Sequence, residues 1–252
     1  MGGELQEMTV LVETLAQYSA LMVTEHLYGP EQIRKFLKFE LDRYLRSRGG
    51  ELIEELPLQR VENQPYIHYQ KGSLVMYLLK DILGEEAVNR ALRGLIGEFA
   101  FKGAPYATSK DLLRYLRAEA GPEHQQLITD LFENITLYDV KLTGARKQRR
   151  ADGTWDVSLD IDAKKLYADG EGRENEAALD EPFDIGIVTA EPGRKDFDQQ
   201  AVLLFERKPI RSGPQTLNLV TASEPSFAGV DPYNKRVDRK SEDNVRAIDA
   251  AP

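Results

Sequence analysis

The sequence predicts an α + β protein of two domains, a helical half followed by an antiparallel β half. Apolar residues recur at intervals of three and four through the first half, whereas short segments of the second half alternate between apolar and polar residues. Glycine, proline and aspartate turn signals separate those alternating segments. We place the helical domain at residues 4–135, the β domain at 136–238 and a polar tail at 239–252. Residues 1–3, Met-Gly-Gly, are expected to be additions that precede the natural sequence.

Six helices are predicted in order along the first half. Gly29-Pro30, Gly49-Gly50 and Gly84 each end a run of helical periodicity, because glycine favours the turn after a helix and proline cannot continue one. Residues 51–65 hold two prolines and no sustained period, so they are expected to form a loop. Thr108-Ser109-Lys110-Asp111 has the spacing of a capping box at a helix start. The predicted helices are Leu5–Leu27, Glu31–Arg48, Tyr66–Leu83, Glu85–Phe99, Thr108–Ala120 and Pro122–Asn134.

Strand candidates fill the second half. Trp155–Ile161 alternates strictly, and Asp152-Gly153 before it is a hairpin turn signal. Short strands with turn signals between them predict a small β-sandwich of the immunoglobulin or fibronectin type. The acidic, glycine-rich stretch Ala168–Glu181 is expected to be a mobile loop. The strand candidates are Val140–Thr143, Trp155–Ile161, Phe183–Thr189, Ala201–Lys208 and Gln215–Thr221.

The composition narrows the function classes. Hydrophobic residues make up 41% of the 252-residue chain and charged residues 30%, which suits a soluble protein with a packed core. The net charge of −9 argues against nucleic-acid binding, since phosphate contacts need a basic surface. The absence of cysteine excludes disulfides, thiolate nucleophiles and cysteine-based zinc sites. No apolar run approaches the ~20 residues that a membrane-spanning helix needs.

Glu13 and Tyr69 are the residues that carry candidate chemistry. Glu13 lies beside apolar positions of an amphipathic helix, where a carboxylate is costly to bury unless it is paired or bound to a metal. Taken alone, it is better interpreted as an ordinary glutamate on the shoulder of a helix. Tyr69, taken alone, is better interpreted as a core tyrosine with a solvated hydroxyl.

The surroundings of these two residues resemble one family of zinc peptidases. Glu13-Thr14-Leu15-Ala16-Gln17-Tyr18 and Tyr69-Gln70-Lys71-Gly72 resemble two motifs of the aminopeptidase N family of gluzincins, which includes leukotriene hydrolase. In that family Glu-Gly-Phe-Ala-x-Tyr supplies the third zinc ligand, and Tyr-x-Lys-Gly carries the catalytic tyrosine. Thr14 replaces the usual glycine. The resemblance implies that Glu13 is a zinc ligand and that Tyr69 is the catalytic residue.

The second half extends the resemblance. Val230-Asp231-Pro232-Tyr233-Asn234-Lys235, followed by Asp243-Asn244, is similar to bacterial members fused to an ABC-permease-like membrane region. The implied fold is the helical C-terminal part of a thermolysin-like catalytic domain followed by the β-sandwich. The implied parent is membrane-associated, with the catalytic helix and the permease-like region upstream in the same chain.

The His-Glu-x-x-His helix of this family is missing. His26, His68 and His124 lie outside such a pattern, and the family spacing places that helix just ahead of Met1. His68 adjoins Tyr69, but a surface or core role is the simpler interpretation. The resemblance therefore implies a C-terminal fragment of a zinc-dependent metallo-aminopeptidase, which hydrolyses N-terminal peptide bonds with a zinc-activated water. Alone, the fragment is expected to be inactive and to hold no stable zinc.

Two other interpretations remain open. The chain could be a non-catalytic peptide- or partner-binding module of a transporter-associated protein, a pseudopeptidase. It could also be an unrelated helical scaffold, if the order of the motifs is coincidence. Without its catalytic helix the fragment is expected to expose an apolar helix surface that includes Leu11, Leu15 and Met22, and to dimerise through it.

Overall fold

The computed structural model describes residues 8–195 and 197–250, and over these residues it confirms the α + β class. Residues 1–3 and the first residues of the predicted first helix lie outside this description. The described residues form two compact units. The first unit comprises the described parts of Met1–Thr24, Phe39–Thr136 and Tyr167–Glu174, and the second comprises those of Glu25–Lys38, Leu137–Leu166 and Asn175–Pro252.

The helices follow the predicted order, with two unexpected π-helical turns. The first π turn, Val10–Thr14, continues directly into α1, and the second, Tyr66–Lys71, continues directly into α3. Short 3-10 turns occupy Leu58–Arg60 and Pro122–His124. No described helix combines the length and the apolar character that crossing a membrane requires. The α-helices are α1 Leu15–Tyr28, α2 Pro30–Gly49, α3 Gly72–Leu83, α4 Glu85–Phe99, α5 Ser109–Glu119 and α6 Gln125–Phe132.

The helix boundaries have the causes that the sequence predicts. Gly84 has a φ of +90° and lies directly after α3, a conformation that glycine adopts without strain. Thr108 and Asp111 form the predicted capping box at the start of α5. Residues 72–79 of α3 are all buried, in agreement with its apolar character on every side. The proposed dimer residues Leu11, Leu15 and Met22 are each half-buried.

Nine strands form two sheets among the described residues. One sheet has the order β3-β2-β1-β9, with β6 pairing antiparallel to β2, and the other has the order β5-β4-β7-β8. The short pairing of β9 with β1 is parallel. The strands are β1 Ile135–Arg149, β2 Trp155–Ala168, β3 Glu174–Ala177, β4 Asp180–Val188, β5 Val202–Arg211, β6 Gly213–Thr221, β7 Phe227–Val230, β8 Val245–Ala247 and β9 Asp249–Ala250.

The two sheets share one apolar core. One cluster of buried residues contains Leu159 of β2, Ile185 of β4 and Val230 of β7. Each of the three is 0% exposed. Because alternate residues of a strand face opposite sides, this cluster collects the inward-facing positions of both sheets. The second unit therefore has the sandwich arrangement that the alternating segments predict.

Two segments differ from the sequence prediction. The stretch 168–181 contains β3 and the start of β4 rather than only a mobile loop, and the Asp169 carboxylate closes the turn before β3 by accepting N–H groups of Glu171 and Arg173. The stretch 239–250 of the predicted polar tail contains a 3-10 turn, β8 and β9. These strands are short and polar, so their pairing depends on neighbouring strands rather than on their own pattern.

Thr14 of the first π turn lies very close to Gly72, the first residue of α3. A Cβ atom at Gly72 would fall 2.5 Å from Thr14 Oγ1 and 2.7 Å from Thr14 Cγ2. Thr14 Oγ1 also donates a 2.5 Å hydrogen bond to the backbone carbonyl of His68. Both Thr14 and Gly72 are buried, so Thr14 has no room to move away from an added methyl group.

We expect Gly72→Ala to destabilise the protein by about 1–3 kcal/mol, because overpacking a buried contact forces the backbone or Thr14 to shift. Equilibrium urea unfolding measures this change. The matched control is Gly97→Ala in α4, which is exposed and has no heavy atom within 4 Å of the added Cβ. That control should be neutral or stabilising by up to about 1 kcal/mol. Equal effects of the two substitutions would show that the Thr14–Gly72 contact is not tight.

Candidate active site

The two π turns pack against each other and bring Glu13 and Tyr69 together. Glu13 lies in the first π turn and Tyr69 in the second, and the Thr14–His68 hydrogen bond joins the two turns directly beside them. π turns are rare in proteins, but those that occur are often found at functional sites. The extra residue changes the direction of the side chains in the turn. The pair is therefore positioned by two unusual backbone segments that contact each other.

Glu13 raises the pKa of the Tyr69 hydroxyl. Hydrogen bonding to the Glu13 carboxylate is the largest cause, and partial burial and the negative charge of Glu13 act in the same direction. Both side chains are half-buried, so each keeps a solvent-facing side. The arrangement holds a protonated phenol beside an accessible carboxylate.

His68 is buried against the same pair. Its ring lies edge-on to the Tyr69 ring, with centroids 4.6 Å apart. Its Nδ1 atom has no hydrogen-bond partner among the described residues. Burial lowers the pKa of His68, although the charge of Glu13 opposes that shift. His68 is thus a neutral core residue in contact with Tyr69, which agrees with the core interpretation from the sequence.

Lys71 anchors the second π turn in a buried ionic cluster. Its Nζ atom lies 3.6 Å from Glu55 Oε1, while Tyr44 donates a 2.5 Å hydrogen bond to the same oxygen. Arg48 Nε donates a 2.7 Å hydrogen bond to Glu55 Oε2. Burial lowers the pKa of Lys71 to about 8, and the charge of Glu55 limits the shift. A single carboxylate therefore joins α2, the loop before the second π turn and the turn itself.

Glu40 connects the two helical segments that carry Glu13 and Tyr69. Its Oε1 atom accepts a 2.9 Å hydrogen bond from Gln17 Nε2, four residues after Glu13. The side chain of Gln70, the neighbour of Tyr69, also acts on Glu40 and lowers its pKa. Glu40 is 5% exposed, and burial raises its pKa. Glu40 and Glu55 have no distinguishing sequence signal, because their roles depend on contacts with distant residues.

The other sequence-identified histidines do not extend the pair. His124 lies 3.6 Å from Glu123, and His26 is exposed near the end of α1. Within residues 8–195 and 197–250, no group of three or more histidine, aspartate or glutamate side chains is arranged to hold a metal ion. A pocket of about 450 Å³ is lined by Arg48, residues 51–55 and residues 170–172, and thus by neither Glu13 nor Tyr69.

Comparison with known proteins adds no identification. No protein-family model and no curated protein sequence matches the chain. The assignment of Glu13 and Tyr69 therefore depends on their motifs and on the geometry described above.

Glu13→Gln should lower the pKa of Tyr69 towards its ordinary value, because the variant removes the negative charge and the strong acceptor that hold the phenol proton. Ultraviolet absorbance titration of phenolate formation measures this pKa. Subtracting the titration of a Tyr69→Phe variant isolates Tyr69 from the other tyrosines. An unchanged difference curve in Glu13→Gln would contradict the hydrogen bond.

Lys71 predicts a pH dependence of stability. Its pKa is near 10.5 in the unfolded chain and about 8 in the fold, so the stability it contributes is present above pH 10.5 and lost as the pH falls through 8. Relative to Lys71→Met, the free energy of unfolding of the wild type should rise between pH 8 and 10.5, by up to about 1.4 kcal/mol per pH unit. Chemical denaturation across this range measures the difference. The control Lys102→Met, at an exposed position, should show no such slope.

Proposed function

We propose that the chain forms one side of the active site of a zinc-dependent metallo-aminopeptidase, with Glu13 as a metal ligand and Tyr69 as the donor to the substrate oxyanion. The observation that supports this best is the direct contact between the Glu13 carboxylate and the Tyr69 hydroxyl across two π turns. The resemblance to the gluzincin motifs assigns these two roles to the same two residues. The helical unit would then be the C-terminal part of a thermolysin-like domain.

The character of Glu13 fits a zinc ligand. Carboxylate oxygens are ordinary zinc ligands, and Glu13 is half-buried with no lysine or arginine at ion-pair distance in the described part of the chain. One carboxylate alone does not hold zinc. The remaining ligands, two histidines in the family, would come from a segment outside residues 8–250. Zinc, when bound, supplies Lewis-acid activation of a water for attack on the peptide carbonyl.

The residues of this chain have a separate task, which is to hold Tyr69 as a proton donor. A tyrosine hydroxyl is protonated at neutral pH, and Glu13 raises the pKa of Tyr69 further. A preorganised donor of this kind stabilises the charge that develops on the carbonyl oxygen in the transition state. Lys71 and Gly72, which follow Tyr69, fix the turn through Glu55 and Thr14. The hydroxyl is thus oriented before substrate binds.

The narrower part of the proposal concerns the parent protein. The segment 230–235 and Asp243-Asn244 support a bacterial member fused to an ABC-permease-like membrane region. Its substrates would be peptides with a free N-terminus. The upstream catalytic helix and the permease-like region would then be partners within the same polypeptide.

The test uses a longer chain that also contains a His-Glu-x-x-His segment ahead of Met1. Tyr69→Phe should lower kcat by about 10²–10³ with the zinc content unchanged, because it removes one oxyanion donor. Glu13→Gln should lower the zinc content as well as the activity. Tyr106→Phe, at an exposed tyrosine, is the control and should keep full activity. Full activity of Tyr69→Phe would refute the role of Tyr69.

The 252-residue chain provides a complementary measurement. After dialysis it should retain far less than one zinc ion per chain and should not hydrolyse aminoacyl nitroanilides, since Glu13 is the single zinc ligand that the motif resemblance assigns to it. One tightly held zinc ion per chain would require other ligands and would overturn this assignment. A zinc-loaded longer chain that binds peptides without cleaving them would instead favour the non-catalytic binding module.

A further inference from the structure

His68 and Tyr69 are adjacent in the chain, yet their side-chain rings contact each other. The ring centroids lie 4.6 Å apart, and the ring planes meet at 64°. Successive side chains of a regular helix project in different directions and do not face each other. Here the two residues lie in the π turn Tyr66–Lys71, where an extra residue changes the direction of the side chains. The resulting edge-on arrangement is one that aromatic rings prefer.

Tyr69 is the residue of this π turn that burial restrains least. The other five residues of Tyr66–Lys71 are buried, whereas Tyr69 is half-buried and keeps a solvent-facing side. A tyrosine side chain has several staggered rotamers, and contacts with neighbouring groups select one of them. The direction of the Tyr69 hydroxyl therefore depends on the groups that its ring contacts, and the His68 ring is one of these.

His68 is itself held in place. Only 6% of the residue is exposed, and its backbone carbonyl accepts a 2.5 Å hydrogen bond from Thr14 Oγ1. Thr14 is 0% exposed and lies so close to Gly72 that it has no room to shift. In the described part of the chain His68 Nδ1 has no hydrogen-bond partner, so close packing holds the ring on this side. The His68 ring therefore forms a fixed surface for the Tyr69 ring.

We propose that His68 is a positioning residue whose ring keeps the Tyr69 ring in one orientation before substrate binds. His68 is too buried to offer much surface to a substrate, so its effect acts through Tyr69. This role of His68 rests on the proposed function, in which the Tyr69 hydroxyl stabilises the substrate oxyanion. Displacing a catalytic group by about 1 Å can cost about 10²-fold in rate, so the orientation of this hydroxyl matters to the reaction.

Steady-state kinetics of the longer chain that contains a His-Glu-x-x-His segment test this role. His68→Ala should lower kcat by about 10–10²-fold with KM and the zinc content unchanged, because it releases the Tyr69 ring. His68→Phe should keep most of the wild-type kcat, since a phenyl ring retains the contact with Tyr69. In a Tyr69→Phe background, His68→Ala should have no further effect on kcat, because the hydroxyl that it positions is gone. His26→Ala, at an exposed histidine, is the control and should keep full activity.

The outcomes separate the role of His68 from that of Tyr69. Wild-type kcat in His68→Ala, or a loss that multiplies with that of Tyr69→Phe, overturns the positioning role and leaves the assignment of Tyr69 intact. An equal loss in His68→Ala and His68→Phe also overturns the positioning role, because the ring contact would then be irrelevant. Full activity of Tyr69→Phe refutes the proposed function, and the catalytic role of His68 with it.

Fluorine NMR of the 252-residue chain tests the ring contact without any peptidase activity. The chain carries 11 tyrosines, and after 3-fluorotyrosine labelling the Tyr69→Phe spectrum assigns the Tyr69 resonance by its loss. Fluorine relaxation should show wider motion of the Tyr69 ring in His68→Ala than in the wild type, and wild-type motion in His68→Phe and His26→Ala. Equal motion of the Tyr69 ring in His68→Ala and the wild type would show that His68 does not restrain it, whatever the kinetic result.

Discussion

The buried carboxylate of Glu55 is the constraint on which the first unit depends. Tyr44 and Arg48 of α2 and Lys71 of the second π turn all converge on it. Desolvation of such a group costs several kcal/mol, and removal of one partner from a buried ion pair typically costs 3–5 kcal/mol. The cluster therefore tolerates only one register of the second π turn. That register fixes the direction of Tyr69, two residues before Lys71.

The motif Tyr69-Gln70-Lys71-Gly72 can now be understood position by position. Tyr69 contacts Glu13, Gln70 contacts Glu40, and Lys71 contacts Glu55. Gly72 provides the space that Thr14 occupies. The Thr14 hydroxyl donates a hydrogen bond to the His68 carbonyl of the second π turn, so Thr14 both fills the space at Gly72 and joins the two turns.

Much of the fold follows from local signals, and much of the site does not. Gly84 and the Thr108–Asp111 capping box act within one turn of the chain, so the helix ends were predictable. The two π turns were not predictable, because a segment of five or six residues is too short for its apolar periodicity to distinguish π from α geometry. The roles of Glu40 and Glu55 arise from contacts between distant residues. Glu13 and Tyr69 were selected by resemblance, and the structure places them in contact while their catalytic roles stay predictions.

The buried and half-buried carboxylates of the two units differ in whether a cation lies beside them. Glu55 and Asp184 are buried, and each forms an ion pair with a lysine of its own unit. Their negative charges are therefore neutralised within the fold. Asp231 is equally buried and receives backbone N–H groups, whereas the equally buried Asp238 receives backbone N–H groups and the Asn244 side-chain amide. Glu13 is half-buried and receives only a phenol. A carboxylate that the fold orients but does not neutralise keeps its affinity for an external cation. Glu40 is also buried and accepts a hydrogen bond from the neutral Gln17 side chain, with no cation at ion-pair distance in the described part of the chain. The lack of a counter-charge is therefore compatible with a ligand role for Glu13 but does not by itself assign one.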